Sequence, residues 1–129
     1  MSKTNRCLGK QGEDLALAYL ARQGYCCIAR NFRTRFGEID IIARDGGTLC
    51  FIEVKTRAGG SFGRGADSVI RNKQRHMARA ALQFLQSRHL LDAPCRFDVV
   101  SIDKAQQVPV VDLIRNAFVL DENNEVSDV

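Results

Sequence analysis

Two carboxylates and a lysine stand inside apolar strand runs that should hold no charge. In GEIDIIARDGGTLCFIEVKTR, from Gly37 to Arg57, Asp40 interrupts one apolar run, and Glu53 and Lys55 interrupt the next. The runs meet at Gly46-Gly47, a pair favoured in two-residue hairpin loops. Counting outward from that loop, Asp45 opposes Thr48, Asp40 opposes Glu53 and Glu38 opposes Lys55. Glu53 and Lys55 share a face, because side chains alternate along a strand. Opposed like charges destabilise a sheet, and near-buried carboxylates are costly unless paired or bound to a cation. The arrangement suits a hard divalent ion, which takes oxygen ligands and keeps several waters. Asp40 and Glu53 would each offer a carboxylate oxygen, and the Val54 carbonyl a third ligand. Lys55 is placed to orient a water and to stabilise charge developing on a phosphate. A plain Glu38–Lys55 ion pair would account for those two residues at roughly a few tenths of a kcal/mol. It leaves Asp40 facing Glu53 unexplained. A three-residue loop would put the partners on opposite faces, so the constellation depends on the Gly-Gly turn.

The elements that must position these residues are legible from periodicity. Residues from about Leu8 to Gln23 predict a helix, with Leu8, Leu15, Tyr19 and Leu20 near helical spacing and Gly24 as its stop. Glu13 lies in its first half, beside Gly9, Gly12 and Ala16, which make one side narrow enough to approach a sheet closely. If that helix packs over the charged end of the hairpin, Glu13 is a further metal ligand. Strands are predicted at 25–31, 37–43, 48–56, 96–102 and about 110–115, and a second helix from Asp67 or Ser68 to about Arg88. The order α-β-β-β-α-β-β predicts an α/β fold, a mixed central sheet flanked by helices. The hairpin strands carry apolar residues on both faces near the turn and read as central.

Composition narrows the function classes. The chain has 129 residues and a net charge of +4. Residues 30–88 hold twelve Lys/Arg against five Asp/Glu, and three of those acids are Glu38, Asp40 and Glu53. A basic body around a small acidic centre suits a polyanionic substrate handled with a metal. Arg33, Arg35, Arg57 and Arg64 surround the hairpin and the glycine-rich loop from Ala58 to Ala66, where they would line a path for a phosphate backbone. Arg71, Arg75 and Arg79 form a basic stripe on the second helix, while Lys73 and Gln74 could face the site. His76 reads as a surface residue. The glycine loop lacks the G-K-[ST] ending of a nucleotide-binding P-loop. The five cysteines form no C-x-x-C pair and have no zinc spacing with His76 or His89. No apolar run reaches membrane-span length, and the N-terminus has no signal-peptide h-region, so a cytoplasmic location is expected. Residues 1–120 are expected to form one domain, followed by an acidic, disordered tail at 121–129.

Asp40 followed by Glu53-Val54-Lys55 resembles the PD-(D/E)XK signature of restriction-endonuclease-like nucleases, with Ile39 at the proline position. Glu13 matches the acidic residue that archaeal Holliday-junction resolvases carry on their first helix. From about Gly9 to Phe118 the chain resembles the YraN family of small bacterial proteins. The resemblance is carried by GEDLALAYL, GEIDIIARD, FIEVKTR, the Lys73–Arg75 segment and RFDVV at Arg96–Val100. It implies a restriction-endonuclease-like core and Mg²⁺ or Mn²⁺ as cofactor. It also implies hydrolysis of phosphodiester bonds without fixing a substrate; the first reading is a nuclease acting on DNA more than RNA, with branched or damaged DNA as candidate substrates. Asp40 and Glu53, with Glu13, are the implied metal ligands and Lys55 the implied catalytic lysine. The alternative is a nucleic-acid-binding module without independent cleavage. A homodimer would suit a two-fold junction substrate.

Overall fold

The computed structural model describes residues 3–57, 65–105, 107–120 and 126–128. Its elements are α1 (Lys3–Arg22), β1 (Cys26–Arg33), β2 (Glu38–Asp45), β3 (Thr48–Arg57), α2 (Gly65–Ser87), β4 (Cys95–Asp103), β5 (Val110–Leu120) and β6 (Val126–Asp128). The expected α-β-β-β-α-β-β order is present, with one short strand added. The strands form a single mixed sheet in sequence order; β3 and β4 are parallel and every other neighbouring pair is antiparallel. A parallel pair needs a long crossover, and α2 provides it. Acidic composition predicts disorder after residue 120, yet Val126–Asp128 pairs with Phe118–Leu120 as the edge strand β6. Arg64 and most of the glycine-rich loop lie outside the described residues.

Both helices end in the same way. Gly24, at φ 93°, donates to Ala21 while Tyr25 donates to Leu20, satisfying two carbonyls that the helix end leaves open. At the end of α2, His89 takes the left-handed position at φ 57°, and Leu90 donates to Leu85 at 2.7 Å. The caps fix where each helix turns back onto the sheet, and so which residues it presents there.

The sheet is covered on both faces. Under α2, Met77, Ala81, Phe84 and Leu85 pack against Ile39, Ile42, Leu49, Phe51, Phe97 and Phe118. An aromatic chain runs through this layer, from Phe32 on Phe84 at 5.3 Å to Phe97 stacked on Phe118 at 4.5 Å. Under α1, Ala16 and Leu20 pack against Ile41, Ala43, Cys50, Ile52, Val100 and Ile102. Each fully buried large side chain in these layers contributes about 1.5–3 kcal/mol. The β3 residues alternate between the layers, so period two puts Glu53 and Lys55 on the α2 face and Val54 on the α1 face.

β2 does not alternate throughout. Ile42 and Ile39 both face α2, while Ile41 and Ala43 face α1. An even alternation from Ile41 would put Ile39 on the α1 face. The reversal falls at Asp40. The residue across from it in β1 is Asn31, bracketed by the pairs Arg30↔Ile41 and Phe32↔Ile39. Asn31 has φ 53°, a left-handed conformation that asparagine tolerates better than most residues. Phe32 and Ile39 therefore both turn toward α2 after the kink.

Candidate functional site

The hairpin register is the one the Gly-Gly turn dictates. Asp45 pairs with Thr48, and the ladder continues to Ile41↔Ile52. There it stops, one pair short of Asp40 and Glu53. β2 follows β1 through the kink and leaves β3. The next N–H of β3 on that side belongs to Val54, and it donates to Asp40 Oδ2 at 2.8 Å. A side-chain carboxylate thus takes the place of the missing ladder carbonyl. The expectation that Asp40 and Glu53 face each other as a regular cross-strand pair is corrected to this: same register, interrupted ladder, Asp40 in the opening. A residue's N–H and C=O point to the same side of a strand, so the Val54 carbonyl also looks toward β2.

Glu53 is 3% exposed on the α2 face. The Lys73 ammonium, reaching down from α2, is ion-paired with its Oε1, although that buried oxygen has no aligned hydrogen bond. Burial works against the Lys73 charge, but Glu53, Asp40 and Glu38 together hold its pKa above the ordinary lysine value. Asp40 goes the other way. Burial raises its pKa to about 6; the Val54 N–H and Lys73 oppose the rise, and the charges of Glu53 and Glu13 add to it. The three acids are therefore close enough to feel one another.

Glu13 is brought in by a tight helix–strand contact. A Cβ at Gly12 would overlap the Thr56 hydroxyl, so α1 can lie this close to β3 only with glycine there. Arg30 of β1 holds the acids of α1, at 3.6 Å from Glu13 and 3.0 Å from Asp14. Glu13 comes from the helix on one face, Glu53 looks toward the helix on the other, and Asp40 sits where β2 and β3 part between them. Lys55 lies two residues beyond Glu53, partly buried on the same face. Glu38 is ion-paired at 3.3 Å with Arg33, its partner across β1, rather than being held by the β2–β3 ladder opposite Lys55.

Among the described residues, no three His, Cys, Asp or Glu side chains converge as a ready-made metal cage. The donor set nevertheless fits a hard cation: carboxylate oxygens from Asp40 and Glu53, one of them buried without an aligned donor, and a lysine ammonium acting as the counter-ion. Mg²⁺ or Mn²⁺ would be held by Asp40 and Glu53, with the Val54 carbonyl on the same side of β3 and the Glu13 charge acting on Asp40 from α1.

The basic residues divide. Arg33 is exposed and paired with Glu38. Arg35 lies over the Phe36 ring at 4.9 Å. Arg57 is partly buried, and its carbonyl accepts the Lys104 N–H at 2.7 Å. Lys73, one of the two α2 residues read as able to face the site, reaches the carboxylates and is ion-paired with Glu53. Arg71, Arg75 and Arg79 are exposed, as the stripe predicts, and so is His76.

Periodicity alone misses a second charged cluster. Asp98 in β4 is fully buried. It accepts hydrogen bonds from Tyr25 Oη at 2.9 Å, Arg96 Nε at 3.0 Å and Asn116 N–H at 2.8 Å. Arg96 also donates to Asp45 at 2.6 Å and to Tyr25 Oη at 2.7 Å, and Arg115 donates to Tyr25 Oη at 3.2 Å. The available signal is the one that marks Asp40: an acid inside an apolar strand run.

The family model of an uncharacterised protein family, UPF0102, matches residues 12–102, which span α1, the kinked hairpin and β4. The chain belongs to the UPF0102 family. A UPF0102 protein of Geobacter metallireducens is 50% identical over 120 residues, covering 93% of this chain and 98% of the relative. One of Geobacter sulfurreducens is 48% identical over 120 residues, covering 92% and 94%. A UPF0102 protein of Chlorobaculum tepidum is 53% identical over 98 residues, 74% of each chain. The UPF0102 match includes Glu13, Asp40, Glu53, Lys55 and Lys73. No helix among the described residues is long and apolar enough to cross a membrane.

Proposed function

We propose that this UPF0102 protein is a metal-dependent nuclease that hydrolyses phosphodiester bonds in DNA, built on a restriction-endonuclease-like core. The observation that carries the reading is Asp40 held beside Glu53 by a strand kink, at a cost in its own ionisation. A fold gains nothing from an interrupted ladder and a half-buried acid among acids. A cation between Asp40 and Glu53 removes that cost. Mg²⁺ or Mn²⁺, when bound, supplies positive charge to a phosphate oxygen and acidifies water. Asp40, Glu53 and the Val54 carbonyl hold the ion; Glu13 adds a ligand directly or through water. Lys55, on the same face as Glu53, orients the attacking water and stabilises charge on the phosphate. Lys73, ion-paired with Glu53 from α2, would be free to turn toward the substrate with the ion in place. The resemblance to PD-(D/E)XK nuclease sequences supports the same roles for Asp40, Glu53 and Lys55.

The Lys73–Glu53 pair also favours a second reading, a nucleic-acid-binding module without cleavage of its own, because the pair partly satisfies the site without a cation. The test is a cleavage panel of single-stranded, duplex, flap and four-way-junction DNA, with Mg²⁺ or Mn²⁺ and with EDTA. Cleavage should require metal, and Asp40→Ala and Lys55→Ala should each lose about 10²–10³-fold in rate. Activity that survives both substitutions sinks the nuclease reading. Metal-independent, salt-sensitive binding with no cleavage favours the second.

A further inference from the structure

The two hairpins that flank β2 turn differently. The β2–β3 loop uses Gly46-Gly47, with Gly46 at φ 62°. In the β1–β2 loop, Thr34 N–H donates to the Gly37 carbonyl at 2.8 Å, and Gly37 N–H donates back at 3.3 Å. This closes a two-residue loop whose central residues are Arg35 and Phe36, in register with Arg33↔Glu38. Such loops favour Gly, Asn or Asp, because the turns that match strand twist need positive φ. Neither Arg35 nor Phe36 has positive φ. Thr34 compensates: its Oγ1 accepts the N–H of Phe36 at 3.0 Å and of Gly37 at 3.2 Å. The tip has given up turn chemistry for an arginine and an aromatic ring.

The tip is docked on α2. A Cβ on Gly37 would lie 2.8 Å from His76 Cβ and 3.1 Å from its main-chain carbonyl. The Phe36 ring lies beneath two guanidiniums, that of Arg35 at 4.9 Å and that of Arg79 at 6.0 Å. Lys73 reaches Glu53, His76 meets the tip and Arg79 covers Phe36. The row that faces the sheet and tip is thus Lys73–His76–Arg79, at i, i+3 and i+6, not the Arg71–Arg75–Arg79 stripe. Residues 71–91 carry five Lys/Arg and no acid. Lys73 and Arg79 are separated by about 9 Å of helix axis, a span of two or three stacked nucleotides at about 3.4 Å each.

We propose that the Arg35-Phe36 tip and the α2 row hold an unpaired DNA strand beside the carboxylates. An unstacked base takes the place of the two guanidiniums over Phe36, and Arg35 and Arg79 turn outward to neutralise the flanking phosphates. An aromatic face accepts any base, and arginine adds charge and stacking. Blunt duplex offers no free base to that ring. This deepens the nuclease reading, and rests on it for what happens to the strand once bound. The substrate class becomes DNA with unpaired nucleotides within two or three positions of the cut.

The test measures binding of labelled single strand and of blunt duplex to the full chain in EDTA, by fluorescence anisotropy across a salt series. Single strand should bind more tightly than duplex. Phe36→Leu should weaken single-strand binding about 10-fold and leave duplex binding unchanged, while Phe36→Tyr should bind as wild type does. Arg35→Gln and Arg79→Gln should each lower the salt slope by about 0.7. A 2-aminopurine in the strand should be quenched by wild type. Absence of that quenching, or preference for duplex, overturns the proposal, as does unchanged binding by Phe36→Leu. Because EDTA blocks cleavage, the two readings fail separately. Phe36-dependent binding without cleavage under Mg²⁺ removes only the nuclease, and metal-dependent cutting of blunt duplex unaffected by Phe36→Leu removes only the strand-holding surface.

Discussion

Asp40 and Asp98 occupy the same kind of place and live under opposite conditions. Each interrupts an apolar strand, and each accepts a main-chain N–H, from Val54 at 2.8 Å and from Asn116 at 2.8 Å. Each lies beside an asparagine with left-handed backbone in the neighbouring strand, Asn31 at φ 53° and Asn116 at φ 56°. Around Asp98 the charges close. Asp45 and Asp98 meet Arg96 and Arg115, with Tyr25 Oη shared between them. Burial works against the Arg96 charge, but Asp45, Asp98 and Tyr25 hold the guanidinium ionised well above its ordinary value. Around Asp40 the neighbours include two further acids, and the carboxyl is held near pKa 6. A buried acid surrounded by donors is part of the frame. A buried acid among acids carries an electrostatic cost that Lys73 and the Val54 N–H only partly offset.

The comparison makes stability and activity separable. The largest effect belongs to Asp98→Ala, which strands Arg96, Tyr25 and the Asn116 N–H; unfolding free energy in urea should fall by about 3–5 kcal/mol. A fall below about 1 kcal/mol would mean that this network is no frame at all.

Asp40→Asn should do the reverse in metal-free protein. The folded-state pKa of Asp40, about 6, is raised above the ordinary aspartate value of 3.8. Its stabilising contribution is therefore complete below about pH 4 and is lost as pH rises through about 6, a difference on the order of 3 kcal/mol. Glu53, Glu13 and Lys73 face the group throughout that window. Asn keeps the acceptor for Val54 and removes the charge. The variant should be more stable than wild type at pH 8, equal to it at pH 4, and inactive. Equal stability at both pH values would show that Asp40 bears no electrostatic cost.

Gly12→Ala tests how tightly α1 must approach. The added methyl meets the Thr56 hydroxyl, and stability should drop by about 1–3 kcal/mol. Thr56→Ala should recover part of the loss, a coupling that a double-mutant cycle measures. The smallest effect is expected at Arg33→Ala. Its pair with Glu38 is exposed on the Arg33 side, at 76%, and thermal melts should register about 0.5 kcal/mol or less.

What the sequence discloses about the site follows from which forces are local. The hairpin register is legible because Gly46-Gly47 admits one short turn, and the helix stop at Gly24 because its capping bonds span five residues. The break in the ladder is not legible. It depends on Asn31 adopting a left-handed backbone, and strict alternation runs straight through that position. The Asp98 network is only half legible: the acid stands out in its apolar run, but its partner Tyr25 lies 73 residues away. The true row on α2 is hidden by Gln74, a polar residue that is 9% exposed in the core stripe. Lys73 and Gln74 both read as able to face the site, and periodicity does not tell which of them reaches the carboxylates; it is Lys73. The placement of the chain in a mixed α/β sheet survives all of these, because apolar period and turn chemistry suffice for it.

The Asp40–Val54 bond also ties the chemistry to the register of the hairpin. Only one closure of the β2–β3 hairpin delivers that carboxylate to that N–H; a slipped closure orphans both groups and closes the gap between the strands. The bond that marks the cleft is thus also a check on register: a hairpin misaligned by one residue loses the hydrogen bond and the carboxylate site together.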